Sequence, residues 1–188
     1  MNSSKLILRN QFLLKRKKNY LEVKNFNFSP VTNLIKKHFK NKKIIIAGYC
    51  PVNNEVNVLG FLKLASKKKI KIALPVILPL NKMCYKIWNY QEPLNINIFG
   101  VLEPQKTNKQ VIPDLVMVPL VAYDNYLNRL GYGKGYYDRS LRKIKKIKKN
   151  IVFLGIAHSF QKYKKIPINK YDYKLDYILT EQGIISSN

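Results

Sequence analysis

The sequence predicts a three-layer α/β domain, a mainly parallel sheet with helices on both faces, and three observations predict it. Short apolar runs of strand length alternate with longer segments of helical period. The apolar run at 115–123 feeds a glycine-rich loop that opens a helical segment, the order of a strand–turn–helix unit. Pro75, Pro79, Pro104 and Pro113 mark short joints rather than a linker, so residues 1–188 are expected to form one domain with a substantial core.

The elements follow in order. Ser4 can cap a helix running to about residue 20, on which Lys5 and Arg9, four apart, share a face able to clamp a triphosphate; the same pair also suits an ordinary surface. Residues 43–49 read as a parallel strand, 56–69 as its crossover helix and 70–74 as the next strand. Residues 83–90 alternate like an extra strand or hairpin arm, and 115–123 form a central strand. Residues 136–148 have helical spacing, while 151–156 and 175–180 complete the sheet.

The most informative stretch is Arg129-Leu-Gly-Tyr-Gly-Lys-Gly-Tyr-Tyr-Asp138. Gly131, Gly133 and Gly135 lie between a strand end and a helix start, where free amides and the helix dipole favour an anion. The loop is no Walker A motif, because Gly135 rather than Ser or Thr follows Lys134, and Tyr136 stands where a dinucleotide fingerprint needs glycine. Tight turns use glycine without any ligand, so the glycines alone fit phosphate binding and a bare turn alike. Lys134 can neutralise phosphate charge. Asp138 beside a polyphosphate suggests an intervening Mg²⁺, or else a helix N-terminal acid favoured by the dipole.

Composition bounds the alternatives. Hydrophobic residues at 46% and aromatics at 12% argue for a folded globule rather than a disordered chain. No apolar stretch reaches bilayer length and the N-terminus lacks a signal-peptide core, so a cytoplasmic protein without membrane contact is expected. Cys50 and Cys84 read as buried reduced thiols, and His38 and His158 show no metal-ligand spacing. The formal charge of +25 raises nucleic-acid binding, but the basic residues are mostly dispersed lysines in a chain rich in Asn and Ile, as codons drifting toward A and T produce. Runs such as Lys15-Arg-Lys-Lys18 read as solvated helix charge, no nucleic-acid-binding motif accompanies them, and the field would steer polyanionic ligands.

Several blocks together carry a family likeness. Val118-Pro-Leu-Val-Ala-Tyr-Asp124 followed by Asn128-Arg-Leu-Gly-Tyr-Gly-Lys-Gly-Tyr-Tyr-Asp-Arg139 closely resembles the signature of 5-formyltetrahydrofolate cyclo-ligase, also called 5,10-methenyltetrahydrofolate synthetase. Lys5 and Arg9, Tyr49-Cys-Pro-Val-Asn-Asn-Glu55, Gly100-Val-Leu-Glu-Pro104 and Leu175-Asp-Tyr-Ile-Leu-Thr-Glu181 are similar to its other blocks, in order. Leu120 departs from a usual glycine and His158 from a common aromatic, departures that bear on the shape of the pocket wall and leave the phosphate loop untouched. The resemblance implies a Rossmann-like fold and ATP-dependent closure of 5-formyltetrahydrofolate, polyglutamylated forms included, to the methenyl form; a monomer is expected. It implies catalytic Lys134 and Arg129, with ATP gripped by Lys5, Arg9 and the loop Arg129, Leu130, Gly131, Tyr132, Gly133, Lys134, Gly135, Tyr136 and Tyr137. Folate is expected against Glu55, Tyr132, Gly133, Lys134, Gly135 and Tyr136, and Mg²⁺ between Asp138 and Asp176. Two other readings are a basic nucleic-acid-binding protein on the same fold and an ATP-using enzyme with another pterin-like substrate.

Overall fold

A computed structural model describes residues 3–22, 26–40 and 42–186. Helix α1 (Ser3–Asn19) and helix α2 (Ser29–Phe39) precede strand β1 (Ile45–Ala47), helix α3 (Leu59–Lys67), and strands β2 (Lys71–Leu78) and β3 (Lys82–Ile87). Short pairs follow: β4 (Asn95–Ile96) with β5 (Leu102–Glu103), then β6 (Gln110–Val111), β7 (Leu115–Pro119), and β8 (Ala122–Tyr123) with β9 (Arg129–Leu130). Helix α4 (Tyr136–Ile147), β10 (Val152–Ile156), β11 (Tyr177–Thr180) and β12 (Gly183–Ser186) complete the order.

Eight strands form one sheet in the order β12-β11-β10-β7-β1-β2-β3-β6. The five neighbours β11, β10, β7, β1 and β2 run parallel, as the uninterrupted apolar runs predict, and the outer strands join antiparallel. One face packs Val31, Leu34 and Phe39 of α2 and Leu62 and Ala65 of α3 on Ile46, Ile72, Leu115, Met117 and Leu154. The other packs Leu141 and Ile144 of α4 on Ala47, Tyr85, Val116, Val118 and Phe153. Helices therefore cover both faces.

From β1 the chain proceeds to β2 on one side, and from β7 to β10 and β11 on the other. This reversal between β1 and β7 leaves a crevice beyond their carboxyl ends, the usual ligand position in an open parallel sheet. The turn after β1 and the hairpin after β7 both enter it.

Three differences from the sequence expectation have physical causes. The run 115–123 breaks after Pro119: Leu120 leaves the ladder, and Val121 donates to the Leu130 carbonyl (2.7 Å), starting the β8–β9 hairpin. Pro75 lies inside β2 rather than in a joint; β1 pairs only with Lys71, Ile72 and Ala73, so beyond them no β1 carbonyl awaits an amide donor. Helix α2 was not expected, although Pro30 in its first turn and the buried Val31, Leu34 and Phe39 mark it. Among the described residues, no helix is long and apolar enough to cross a membrane.

Candidate active site

The β8–β9 hairpin delivers the glycine loop, and a buried carboxylate shapes it. Asp124 accepts from the amides of Tyr126 (3.0 Å), Asn128 (3.0 Å) and Ile166 (2.9 Å) and from the Asn128 side chain (3.0 Å). This Asx-type network closes the turn that sends Arg129 and Leu130 back toward the crevice. The Leu130 side chain is buried in a cluster with Leu8, Phe12 and Val121, which ties the start of the loop to α1. Gly133 (φ 95°) and Gly135 (φ 67°) are left-handed, and a Cβ on Gly133 would stand 3.0 Å from the Arg9 guanidinium. Glycine is required there by conformation and by close approach alike.

Helix α1 places Lys5, Arg9 and Arg16 at i, i+4 and i+11, one face of the helix. Arg9 is 8% exposed and donates from Nε to the Gly131 carbonyl (2.8 Å); burial lowers its guanidinium pKa from the ordinary value. Lys5 pairs with Asp172 (2.5 Å), so its charge is already matched. Arg129 lies over the Tyr137 ring and pairs with Asp138 (2.6 Å), while Lys134 sits exposed with Nζ 4.0 Å from the Phe99 ring centre. Tyr136 packs edge-on against Phe99, and Arg139 ties the Lys134 carbonyl to that of Asn81. Arg9, Arg129, Lys134 and the glycine amides thus converge on one loop.

The turn after β1 meets this loop. Asn53 and Asn54 both adopt left-handed φ (49° and 61°), which asparagine tolerates, and the Val52 amide donates to Glu55 Oε2 (3.0 Å). Tyr132 donates its hydroxyl to Glu55 Oε1 (2.9 Å) and accepts from Arg16 Nη2 (2.5 Å). Burial raises the Glu55 carboxyl pKa, partly offset by the Val52 amide, Arg16 and Tyr132; burial also pushes the Tyr132 hydroxyl to about 12. Tyr132 therefore keeps its proton and can donate while accepting.

The carboxylates expected to share Mg²⁺ are not brought together. Asp138 Oδ1 is occupied by Arg129 and by the Tyr173 amide (3.0 Å) at the start of α4. Asp176 precedes β11 and accepts from the Phe153 amide (2.8 Å) at the opposite, N-terminal edge of the sheet. There it borders an open cleft of ≈ 1000 Å³ with Lys37, His38 and Lys145, away from the glycine loop. Asp138 and Asp176 accept hydrogen bonds from different groups, and no group of three or more His, Cys, Asp or Glu suited to a metal occurs among the described residues. A guanidinium 2.6 Å from Asp138 supplies the positive charge that a metal would supply. The pair does not fit as a protein cage for Mg²⁺.

The model of the 5-formyltetrahydrofolate cyclo-ligase family matches residues 1–181. The chain belongs to that family. A 5-formyltetrahydrofolate cyclo-ligase of Haemophilus influenzae is 31% identical over 140 residues, 71% of this chain and 74% of the relative. One from Mycoplasma genitalium is 33% identical over 143 residues, covering 71% and 70%. The solved 5,10-methenyltetrahydrofolate synthetase of Aquifex aeolicus superposes with a TM-score of 0.79 at 29% identity, covering 97% of this chain and 92% of that one. The Mycoplasma pneumoniae synthetase gives 0.70 at 26% identity, covering 95% and 98%.

Within this cyclo-ligase family member, Arg16 is the residue that sequence reasoning missed. It was assigned to solvent with the Lys15–Lys18 run, yet it is 1% exposed and also donates to the Leu120 carbonyl (3.1 Å). Its seven-residue spacing from Arg9 was the available signal. The Leu120 side chain is buried over Gly155, and its carbonyl accepts from Arg16 and Gln161. His158 is buried, stacked on Phe160 and edge-on to Phe26.

Proposed function

We propose that this chain, as a single-domain cytoplasmic monomer, converts 5-formyltetrahydrofolate, including polyglutamylated forms, to 5,10-methenyltetrahydrofolate. ATP is consumed and ADP and phosphate are released. One observation carries the reading: the cation-flanked glycine loop and the carboxylate of the 49–55 turn meet at the crevice between β1 and β7, joined through Tyr132 and Glu55.

The chemistry follows from what these residues can hold. An amide-like formyl oxygen leaves poorly. Its attack on the γ-phosphorus breaks the bond to ADP and gives an activated formyl phosphate. The folate N10 lone pair then attacks the formyl carbon, that oxygen departs with phosphate, the N10 proton is lost to the departing phosphate or to water, and the ring closes as the methenyl cation. No protein nucleophile is needed, so catalysis rests on positioning and charge neutralisation. Arg9 and the loop amides cradle the phosphates, and Lys134 moves from Phe99 onto the transferring group. Arg129, held by Asp138, backs the loop, and Lys5 adds charge at its edge. Glu55 and the Tyr132–Tyr136 side receive the folate, whose pterin offers N–H donors to a carboxylate. Mg²⁺ would arrive with the nucleotide as part of the substrate Mg·ATP and would share the neutralisation of phosphate charge with Arg9 and Lys134.

Purified protein with Mg·ATP and 5-formyltetrahydrofolate should generate methenyl absorbance and ADP in equal amounts. ATP consumption with a different pterin but none with the formylfolate would move the reading to another substrate. Salt-steep RNA or DNA binding without ATP consumption would replace it with nucleic-acid binding.

A further inference from the structure

We propose that Arg16 is a positioning residue of this site, fixing the Tyr132 ring and, through its hydroxyl, the Glu55 carboxylate, so that the glycine loop and the 49–55 turn keep one mutual register. Arg16 is buried, and its guanidinium makes three contacts, two of them with the glycine loop. It donates to Leu120 and to Tyr132, and lies 5.8 Å from the Tyr132 ring centre. Its Nε is buried without a partner, so the side chain is not placed by its own hydrogen-bonding needs alone. A buried cation costs free energy unless another group uses its charge, and the group in line to use it is Glu55, one hydroxyl away.

The direction of hydrogen bonding in this chain is fixed. Arg16 can only donate, Tyr132 holds its proton and passes a donor onward, and ionised Glu55 can only accept. The groups facing Glu55 are Arg16 from α1, Tyr132 from the loop, Tyr49 after β1 and Tyr137 from α4, with His158 facing Arg16 from beyond. Arg16 is the one cation in that set at neutral pH, since burial lowers the His158 pKa. Burial raises the Glu55 pKa and Arg16 opposes that rise, so removing Arg16 moves the Glu55 midpoint further up. A folate-side carboxylate needed in its ionised form is then lost at a higher pH.

The kinetic arm rests on the proposed reaction, and a spectroscopic arm does not. Protein labelled with ¹³C at its glutamate carboxyls, with Glu55 assigned by Glu55→Gln, is titrated without substrate for wild type, Arg16→Met and Tyr132→Phe. Both variants should raise the Glu55 midpoint, and Tyr132→Phe should add little in the Arg16→Met background, because the two act in series. In turnover, Arg16→Met should lower kcat/KM for the formylfolate roughly 10- to 100-fold, the worth of a hydrogen bond to a charged group, and move its acid limb to higher pH. Arg16→Lys keeps the charge and should hold the midpoint nearer wild type; with Tyr132→Phe it carries the test if Arg16→Met does not fold. A Glu55 midpoint unchanged in both Arg16→Met and Tyr132→Phe would overturn the inference and leave Arg16 as packing. Absence of wild-type turnover would remove the proposed reaction instead, and the Glu55 titration would still decide the role of Arg16.

Discussion

Replacing Asp138 by Asn separates a structural ion pair from a metal ligand, because the two roles fail in different measurements. The Arg129 side chain is 4% exposed and that of Asp138 is 21%, with the charges 2.6 Å apart. Removing one partner of a fully buried pair costs about 3–5 kcal/mol; water reaching the Asp138 side reduces this to roughly 2–3 kcal/mol. Asn keeps an oxygen for the Tyr173 amide, so the loss falls on Arg129, whose Nε already lacks a partner. For a chain of this length, 1 kcal/mol corresponds to roughly 2–4 °C, so Tm should fall by about 4–12 °C. Calorimetry without nucleotide or metal reads this directly. A cycle with Arg129→Met should return a coupling of about 1.5–3 kcal/mol. The Mg²⁺ requirement at saturating ATP should stay where the wild type has it. An unchanged Tm together with a raised Mg²⁺ requirement would refute the ion-pair assignment and restore Asp138 to the metal.

Lys134→Ala should lower kcat by roughly 10²–10³-fold, as for loss of a group that stabilises transition-state charge, with Tm little changed because the side chain is exposed and lies over Phe99 while the carbonyl that Arg139 holds is kept; near-normal turnover in a steady-state assay would sink the role. Gly155→Ala would set a Cβ 2.6 Å from Leu175 Cδ1 and 2.9 Å from Leu120 Cδ2, so thermal unfolding should show a loss of about 1–3 kcal/mol from overpacking. Cys50 is buried, which pushes its thiol to about 11, so iodoacetamide at pH 8 should leave it unlabelled until denaturant is added.

The sequence resolved this fold best where one residue's environment follows from its neighbours. Strands β7 and β10 are buried on both faces, so their runs are apolar throughout and legible. The glycine loop was legible because left-handed backbone demands glycine at 133 and 135. Arg16 was not, because charge runs announce solvent and only the β8–β9 hairpin, more than a hundred residues away, turns this position inward. The partners of Asp138 and Asp176 were hidden for the same reason. Each carboxylate answers to one or two groups supplied by tertiary structure, Arg129 and the Tyr173 amide or the Phe153 amide, and an acid at a helix start or strand edge looks alike in sequence whichever it meets.

The dependence of the glycine loop on α1 has a consequence for biosynthesis. Arg9 holds the Gly131 carbonyl across 122 residues of chain. At a synthesis rate of about 5–20 residues per second, α1 leaves the ribosome roughly 6–24 s before its partner exists. Through that interval a cationic helix with Leu8 and Phe12 uncovered is available to chaperones, and the parallel sheet can begin to pair without it. The contact between helix α1 and the glycine loop can therefore form only after most of the chain is made, and a nascent chain halted before residue 131 carries the arginine with nothing for it to hold.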